Sequence, residues 1–319
     1  MKTHKTKTKQ KEVKSLLSLM DVDAKKIDEL ISLSVAIKKN PGKYSKKLQG
    51  KTLLMIFQKP SLRTRISFEV AMNSLGGKAI VTEMSALPIG QKESMEDTAK
   101  VCSRYVDAIM ARLFDQSELI KLKENSTIPV INGLTNEFHP ARILSDLLTI
   151  YEKKKKLKGL KLCYLGDAKN NVTHCLLIGC AHMGIDISVA CPKEMMPRAE
   201  IVSKAQEIAK KSKSNCKILI TNDPKEAIDN ADIVYTDSWM SYHILPAEKE
   251  QRLKALKEYQ VNSEIVRYAK KDYIFMNCLP AMRGYEQTAE VMDGQNSIVF
   301  DQAENRLHMQ KAILLSLLK

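Results

Sequence analysis

The sequence predicts an α/β protein made of two doubly wound parallel sheets joined by a bridging helix. Three observations predict it. Short apolar strand-like runs alternate with longer helical segments along nearly the whole chain, the pattern of parallel strands connected by helical crossovers. At 319 residues the chain is long enough for two domains of ordinary size. A long helical segment over 140–154, closed by a lysine run and Gly159, separates two such alternating blocks and reads as the bridge.

In the first block the strand candidates are 52–57, 79–82, 108–112 and 129–132. After the first of them Ser61 occupies an N-cap position. It opens a helix whose apolar face reads Phe68, Ala71, Met72 and Leu75 and which stops at Gly76-Gly77. In the second block strands are predicted over 160–165, 186–191, 217–221, 233–236 and 273–276, with a last short one over 297–300. Helices are predicted over 171–183, 197–211 and 224–230, with an amphipathic one over 303–318. Ligands of doubly wound sheets bind at the carboxyl ends of the strands, where several polar motifs of this chain fall. No internal repeat is present. Met1 to Lys14, rich in Lys and Thr and without an apolar core, reads as a solvated, disordered tail rather than a secretory signal.

The net charge is +14, much of it in lysine runs such as Lys153 to Lys156. Aromatic residues make up only 5%, and no basic stripe with interleaved aromatics occurs, so nucleic acid is not an expected partner. No apolar run approaches the ~20 residues of a membrane helix. The seven cysteines form no C-x-x-C pair and no zinc-ligand spacing, which fits a reducing cytoplasm and predicts no metal. A dinucleotide site is excluded by Gly166-Asp167-Ala168-Lys169-Asn170-Asn171. Its single glycine cannot bring the backbone against a pyrophosphate, and no organic cofactor is expected.

The chemistry concentrates in Phe57-Gln58-Lys59-Pro60-Ser61-Leu62-Arg63-Thr64-Arg65. A helix start presents unpaired N–H groups, and guanidinium forks beside it make a site for a phosphate dianion. Cations in a first turn oppose the helix dipole, so the arginines need either an anion or an exposed setting. Arg112 closes an apolar strand, and a charged strand end points into a cleft or into solvent.

Ser61-Leu62-Arg63-Thr64-Arg65 resembles the S-x-R-T-R carbamoyl phosphate motif of the aspartate/ornithine transcarbamylase family. The family's other blocks follow in order along nearly the whole chain. The resemblance implies a carbamoyl phosphate-binding domain over 1–150, completed by the C-terminal helix 303–319 packing back on it, and an amino-acid-binding domain over 151–302. It makes Ser61, Leu62, Arg63, Thr64, Arg112 and Arg306 contacts of carbamoyl phosphate. His139-Pro140-Ala141-Arg142 is similar to the H-P-x-Q block that meets the carbamoyl group, with Arg142 in place of glutamine. Arginine only donates hydrogen bonds, so Arg142 loses the contact with the carbamoyl NH₂ or turns toward phosphate or solvent. Asn277-Cys278-Leu279-Pro280 resembles H-C-L-P, with Asn277 in place of histidine; Cys278 and Leu279 would face the carbamoyl group and the attacking amine. Asn170-Asn171-Val172 and Asp237 to His243 resemble ornithine-type blocks, giving Asn171, Asp237, Ser241 and Tyr242 to the amino acid. Tyr242-His243 departs from the usual Met-Gly. The segment holding Gln91 and Lys92 resembles the loop that family trimers insert into a neighbouring site, where Lys92 either assists an anionic group or is simply exposed.

The implied reaction is direct carbamoyl transfer to an amine, foremost the δ-amine of ornithine, in a cytoplasmic homotrimer or higher assembly with shared sites. Arg63, Thr64, Arg112, His139 and Cys278 are its implied catalytic residues. N-acylornithine, lysine and putrescine remain alternative acceptors, and a non-catalytic carbamoyl phosphate-binding relative is the second class of reading. For Asp237 a strand-end cap, and for Cys278 a plain buried thiol, are the structural alternatives.

Overall fold

The computed structural model describes residues 15–84, 92–240 and 246–319. The expected N-terminal tail, Gln91, Ser241 and Tyr242 lie outside them. Among the described residues the strands are β1 Thr52–Phe57, β2 Lys78–Glu83, β3 Ala108–Arg112, β4 Val130–Leu134, β5 Lys161–Leu165, β6 Asp186–Ala190, β7 Ile218–Thr221, β8 Ile233–Thr236 and β9 Ile274–Asn277. The helices are α1 Ala24–Lys39, α2 Leu62–Ser74, α3 Met95–Cys102, α4 Gln116–Glu124, α5 Pro140–Lys154 and α6 Asn171–Met183. They continue as α7 Ala199–Ser212, α8 Pro224–Ile228, α9 Lys249–Leu256, α10 Ala289–Met292 and α11 Val299–Leu318.

Every strand pairing within the two sheets is parallel, as the strand–helix alternation predicts. The first sheet has the order β2-β1-β3-β4 and the second β7-β6-β5-β8-β9. In the first sheet the chain winds outward from β1 on one side and from β3 on the other. In the second sheet it does so from β5 and β8. The loops leaving these strand pairs part at each switch point, which opens a crevice there.

Helix α5 lies between the sheets. Its residues 140–150 are all buried, with Ile143, Leu144, Leu147, Leu148 and Ile150 in the core. Burying each such side chain stabilises the fold by about 1.5–3 kcal/mol. One apolar cluster runs from Met55 and Phe68 through Leu144 and Leu147 to Leu162 and Met276, so the two sheets share a core across α5. Helix α11 packs back on α1, α2 and α5, on the first-sheet side.

Two expectations need correction. The strand predicted over 297–300 is a single bridge, Ser297 to Phe275. Ile298 N–H donates to Phe275 O at 3.0 Å, and Gln302 N–H then closes a helical turn onto Ile298 O at 2.9 Å. Helix α11 therefore begins at Val299, four residues before the predicted start. Helix α1 was not predicted at all. Asp23 caps it by accepting Lys26 N–H at 2.8 Å, and Ile27, Leu30, Ile31 and Ile37 form its buried stripe.

Candidate active site

Both crevices open into one cavity of about 460 Å³. On the first-sheet side Ser61 has extended backbone, and its Oγ accepts Thr64 N–H at 3.2 Å, the expected N-cap of α2. Arg63 is partly buried and lines the cavity beside Ser61 and Leu62, although the Leu62 side chain is 71% exposed. The buried Thr64 hydroxyl accepts Arg306 Nη2 at 2.6 Å, which ties the start of α2 to α11 across 242 residues of sequence. Arg112, at the end of β3, and Arg306 are both buried cavity-lining residues.

His139 sits at the N-cap of α5, fixed by its N–H to Cys175 Sγ at 3.1 Å. Burial first, then Arg142, Arg306 and Arg112, pull its pKa well below the usual imidazole value. The ring is neutral at pH 7, with one nitrogen able to donate to an oxyanion. Its Nδ1 has no hydrogen-bond partner among the described residues.

Arg142 turns neither to solvent nor away from the second sheet. Its Nη2 donates to the Cys278 backbone carbonyl, and its Nε has no hydrogen-bond partner among the described residues. One turn further along α5, Asp146 supplies the counter-charge. It accepts Tyr235 Oη at 2.7 Å and Gln302 Nε2 at 2.9 Å. Tyr235 Oη also lies 3.0 Å from Cys278 Sγ. This buried network joins α5, β8, the loop after β9 and α11.

The loop after β9 is an unusual piece of backbone. Leu279 has φ 51°, in the left-handed region, and the Leu279–Pro280 peptide is cis. Asn277 Oδ1 accepts Leu279 N–H at 2.9 Å, while Asn277 Nδ2 donates to Gln287 Oε1 at 2.9 Å. The asparagine at this position thus holds the turn. Burial pushes the Cys278 thiol well above the usual thiol range, so it is protonated and unsuited to act as a thiolate nucleophile.

On the second-sheet side Asn170 caps α6 by accepting Thr173 N–H at 2.9 Å, and Asn171 Nδ2 reaches across to Thr135 O at 2.6 Å. Asp237 follows β8 and is the one carboxylate among the described lining residues. Burial raises it to about 6. Lys92, by contrast, is exposed before α3 and does not line the cavity.

Sequence reasoning missed Lys59. Its side chain is buried in the cavity wall, its Nζ lies 4.3 Å from the Phe114 ring centre, and it donates to Asn136 Oδ1. Burial, then Arg112, lowers it to about 8. The signal was its place two residues before Ser61.

Arg63, Arg112, Arg142 and Arg306 therefore face one small volume. Arg306 is driven well below the usual guanidinium value by burial, then by Arg142, with Arg63 and Arg112 adding to the effect. A guanidinium keeps its proton under such stress, so the repulsion resides in the unliganded fold until an anion relieves it. Inorganic phosphate or carbamoyl phosphate at 100 times its dissociation constant is expected to add about 2.7 kcal/mol of stability, read as a rise in melting temperature. An unchanged melting temperature would remove the anion site.

Fold and site together define a two-sheet α/β protein with an arginine-rich cleft on one side of a bridging helix and a carboxylate on the other. Residues 14–152 match the family described as aspartate/ornithine carbamoyltransferase, carbamoyl-P binding domain, and residues 158–317 match its Asp/Orn binding domain. The chain belongs to the aspartate/ornithine carbamoyltransferase family. It is 48% identical to an ornithine carbamoyltransferase of Anoxybacillus flavithermus over 98% of this chain and 99% of that one. It is also 48% identical to the Bacillus subtilis ornithine carbamoyltransferase, over 96% and 94% of the two chains. The solved ornithine carbamoyltransferase from Pyrococcus furiosus superposes with a TM-score of 0.92 at 45% identity, covering 96% of this chain and 97% of that one.

Proposed function

We propose that this protein transfers the carbamoyl group of carbamoyl phosphate to the δ-amine of L-ornithine, giving L-citrulline and phosphate. The convergence of four arginines and a neutral histidine opposite Asp237 in one cavity carries the reading. Relatives named ornithine carbamoyltransferase at 48% identity support it.

In this mechanism the neutral amine nitrogen forms a bond to the carbamoyl carbon, and the C=O electron pair moves onto oxygen. The pair returns as the C–O bond to phosphate breaks, and the proton shed by the amine passes to the leaving phosphate. The α2 N-terminus with Ser61, Leu62, Arg63 and Thr64 cradles the phosphate, and Arg112 and Arg306 neutralise it as it leaves. His139, Arg63 and Thr64 donate to the developing oxyanion. Arg142, already on the Cys278 carbonyl, adds positive charge beside the carbonyl carbon. Cys278 and Leu279 wall the path of the amine. Asn171 and Asp237 hold the amino-acid end, with Ser241 and Tyr242 assigned to the same half. An alkylammonium of pKa ~10.4 is neutral to only about one part in 10³ at pH 7, so turnover rises toward alkaline pH.

The same reading divides the chain into a carbamoyl phosphate domain over 1–150 with 303–319 and an ornithine domain over 151–302. It also calls for a cytoplasmic homotrimer or larger assembly in which Gln91 and Lys92 approach a neighbour's site. Leu62, Ile66 and Val70 form an exposed apolar stripe at i, i+4 and i+8 on α2, which suits a subunit contact. All seven cysteines are free thiols, which suits a reducing compartment.

The test is citrulline formation by the purified protein from carbamoyl phosphate and L-ornithine, with putrescine, lysine, N-acetylornithine and aspartate in parallel. Turnover with ornithine alone is expected. Turnover only with another amine would overturn the acceptor, and none with any would overturn the enzyme assignment.

A further inference from the structure

We propose that Glu286 and Arg252 are positioning residues that clamp the main chain at Trp239 from both sides and so set the acceptor half of the cleft. The proposal rests on the carbamoyl-transfer reading. Trp239 lies two residues after Asp237, at 3% exposure. Its N–H donates to Glu286 Oε1 at 3.3 Å, and its carbonyl accepts Arg252 Nε at 3.1 Å. Neither side chain lines the cavity.

Each clamp residue reaches a second loop of the site. The other oxygen of Glu286 accepts Met282 N–H at 3.0 Å, so one carboxylate holds the loop carrying Asp237 and the loop carrying Cys278 and Leu279. Arg252, from α9, donates Nη2 to Asp167 Oδ2 at 2.5 Å. Asp167 O in turn accepts Asn170 Nδ2 at 2.6 Å, at the start of the helix that carries Asn171. The indole sits over Gly166, whose φ is +130° and where a Cβ would lie 3.1 Å from Trp239 Nε1. The three loops that shape the acceptor side meet at one residue.

The chemistry of Glu286 makes this more than ordinary packing. It is 1% exposed and has no ion-pair partner among the described residues. A buried carboxylate without a cation is costly, and here it is held by peptide N–H groups of two active-site loops. Its charge also bears on Asp237, which is faced by Arg142 from α5, by the Cys278 thiol and by the Tyr235 and Tyr164 hydroxyls. Burial is the main cause that raises Asp237, the Ser238 peptide N–H and Arg142 lower it, and Glu286 adds a smaller upward push.

Two variants test the clamp. Glu286→Gln keeps one acceptor oxygen but turns an NH₂ toward the other peptide N–H. Arg252→Lys keeps charge but loses the two-pronged grip. In both, KM for ornithine is expected to rise about tenfold or more, the loss of a hydrogen bond to a charged group, while carbamoyl phosphate binding by equilibrium dialysis stays within about twofold. The acid limb of kcat/KM for ornithine should move to lower pH in Glu286→Gln alone. Trp239 is the single tryptophan of the chain, so its emission reports the clamp directly and should shift to longer wavelength in both variants. An unchanged emission and unchanged ornithine KM would overturn the proposal, as would parallel losses of kcat and carbamoyl phosphate binding. A wild type that makes no citrulline would overturn the carbamoyl-transfer reading and with it the acceptor role, while the emission still judges the clamp.

Discussion

Arg306→Met is expected to lower kcat/KM for carbamoyl phosphate by about 10²–10³, the usual cost of removing a donor aimed at developing negative charge, and at the same time to raise the melting temperature of the unliganded protein. Arg306 is 3% exposed and packed among Arg63, Arg112 and Arg142, and its guanidinium is disfavoured by burial and by those neighbours. Methionine fills a similar volume without charge. Removing one of several like charges from a desolvated site relieves both their repulsion and the cost of burying it, which favours the fold. The charged hydrogen bond from Nη2 to Thr64 Oγ1 is lost, which offsets about 1.5 kcal/mol or more of that gain. Calorimetry with and without carbamoyl phosphate separates the two effects. The variant should be more stable alone yet gain less from the ligand. A variant that melts lower and turns over normally would show that the arginine cluster serves the fold rather than the anion.

That trade between stability and function also explains what the sequence could disclose. Strands β1, β3 and β8 and helices α5 and α6 have the bounds read from the sequence, because local signals delimit them. Pro140 opens α5, Asn170 caps α6, and Gly184 in left-handed conformation ends it. The run Ser297-Ile298-Val299-Phe300 misled because β-branched and aromatic residues read as strand, while the start of α11 has no side-chain cap to announce it. Arg63, Arg112, His139, Asp237 and Cys278 each sit at a strand or helix terminus, and parallel sheets gather those termini into the cavity, whereas Arg306 lies two turns inside α11 and was marked by its family block alone. Lys59, Asp146, Glu286 and Arg252 were not legible. Apart from the Glu286–Met282 contact, their partners are main-chain atoms or side chains from 13 to 156 residues away, and no periodicity or spacing encodes such a contact. The meaning of Arg142 and Asn277 was equally hidden. The first donates one of its N–H groups to the Cys278 carbonyl and is balanced by Asp146; the second holds the left-handed turn at Leu279.

Asp237→Asn is expected to raise KM for ornithine by about 30-fold or more, since loss of one member of a desolvated charge pair costs 2–5 kcal/mol, with carbamoyl phosphate binding unchanged. The pH dependence fixes the cause. With its pKa at about 6, Asp237 is ionised above that pH and meets an ammonium; below it the carboxyl is neutral, so kcat/KM for ornithine falls as pH drops through about 6. The asparagine variant should lose this acid limb and keep the alkaline rise, which belongs to the substrate amine. Stability should move the other way. The folded state holds this proton more tightly than an unfolded aspartate of pKa 3.8, so the ionised group costs the native state up to about 3 kcal/mol above pH 6, and that cost fades as pH falls toward 3.8. Asp237→Asn should therefore melt higher than the wild type at pH 7.5 and converge with it near pH 4. An acid limb that survives in the variant would transfer the titration to another group and leave Asp237 as a strand-end cap.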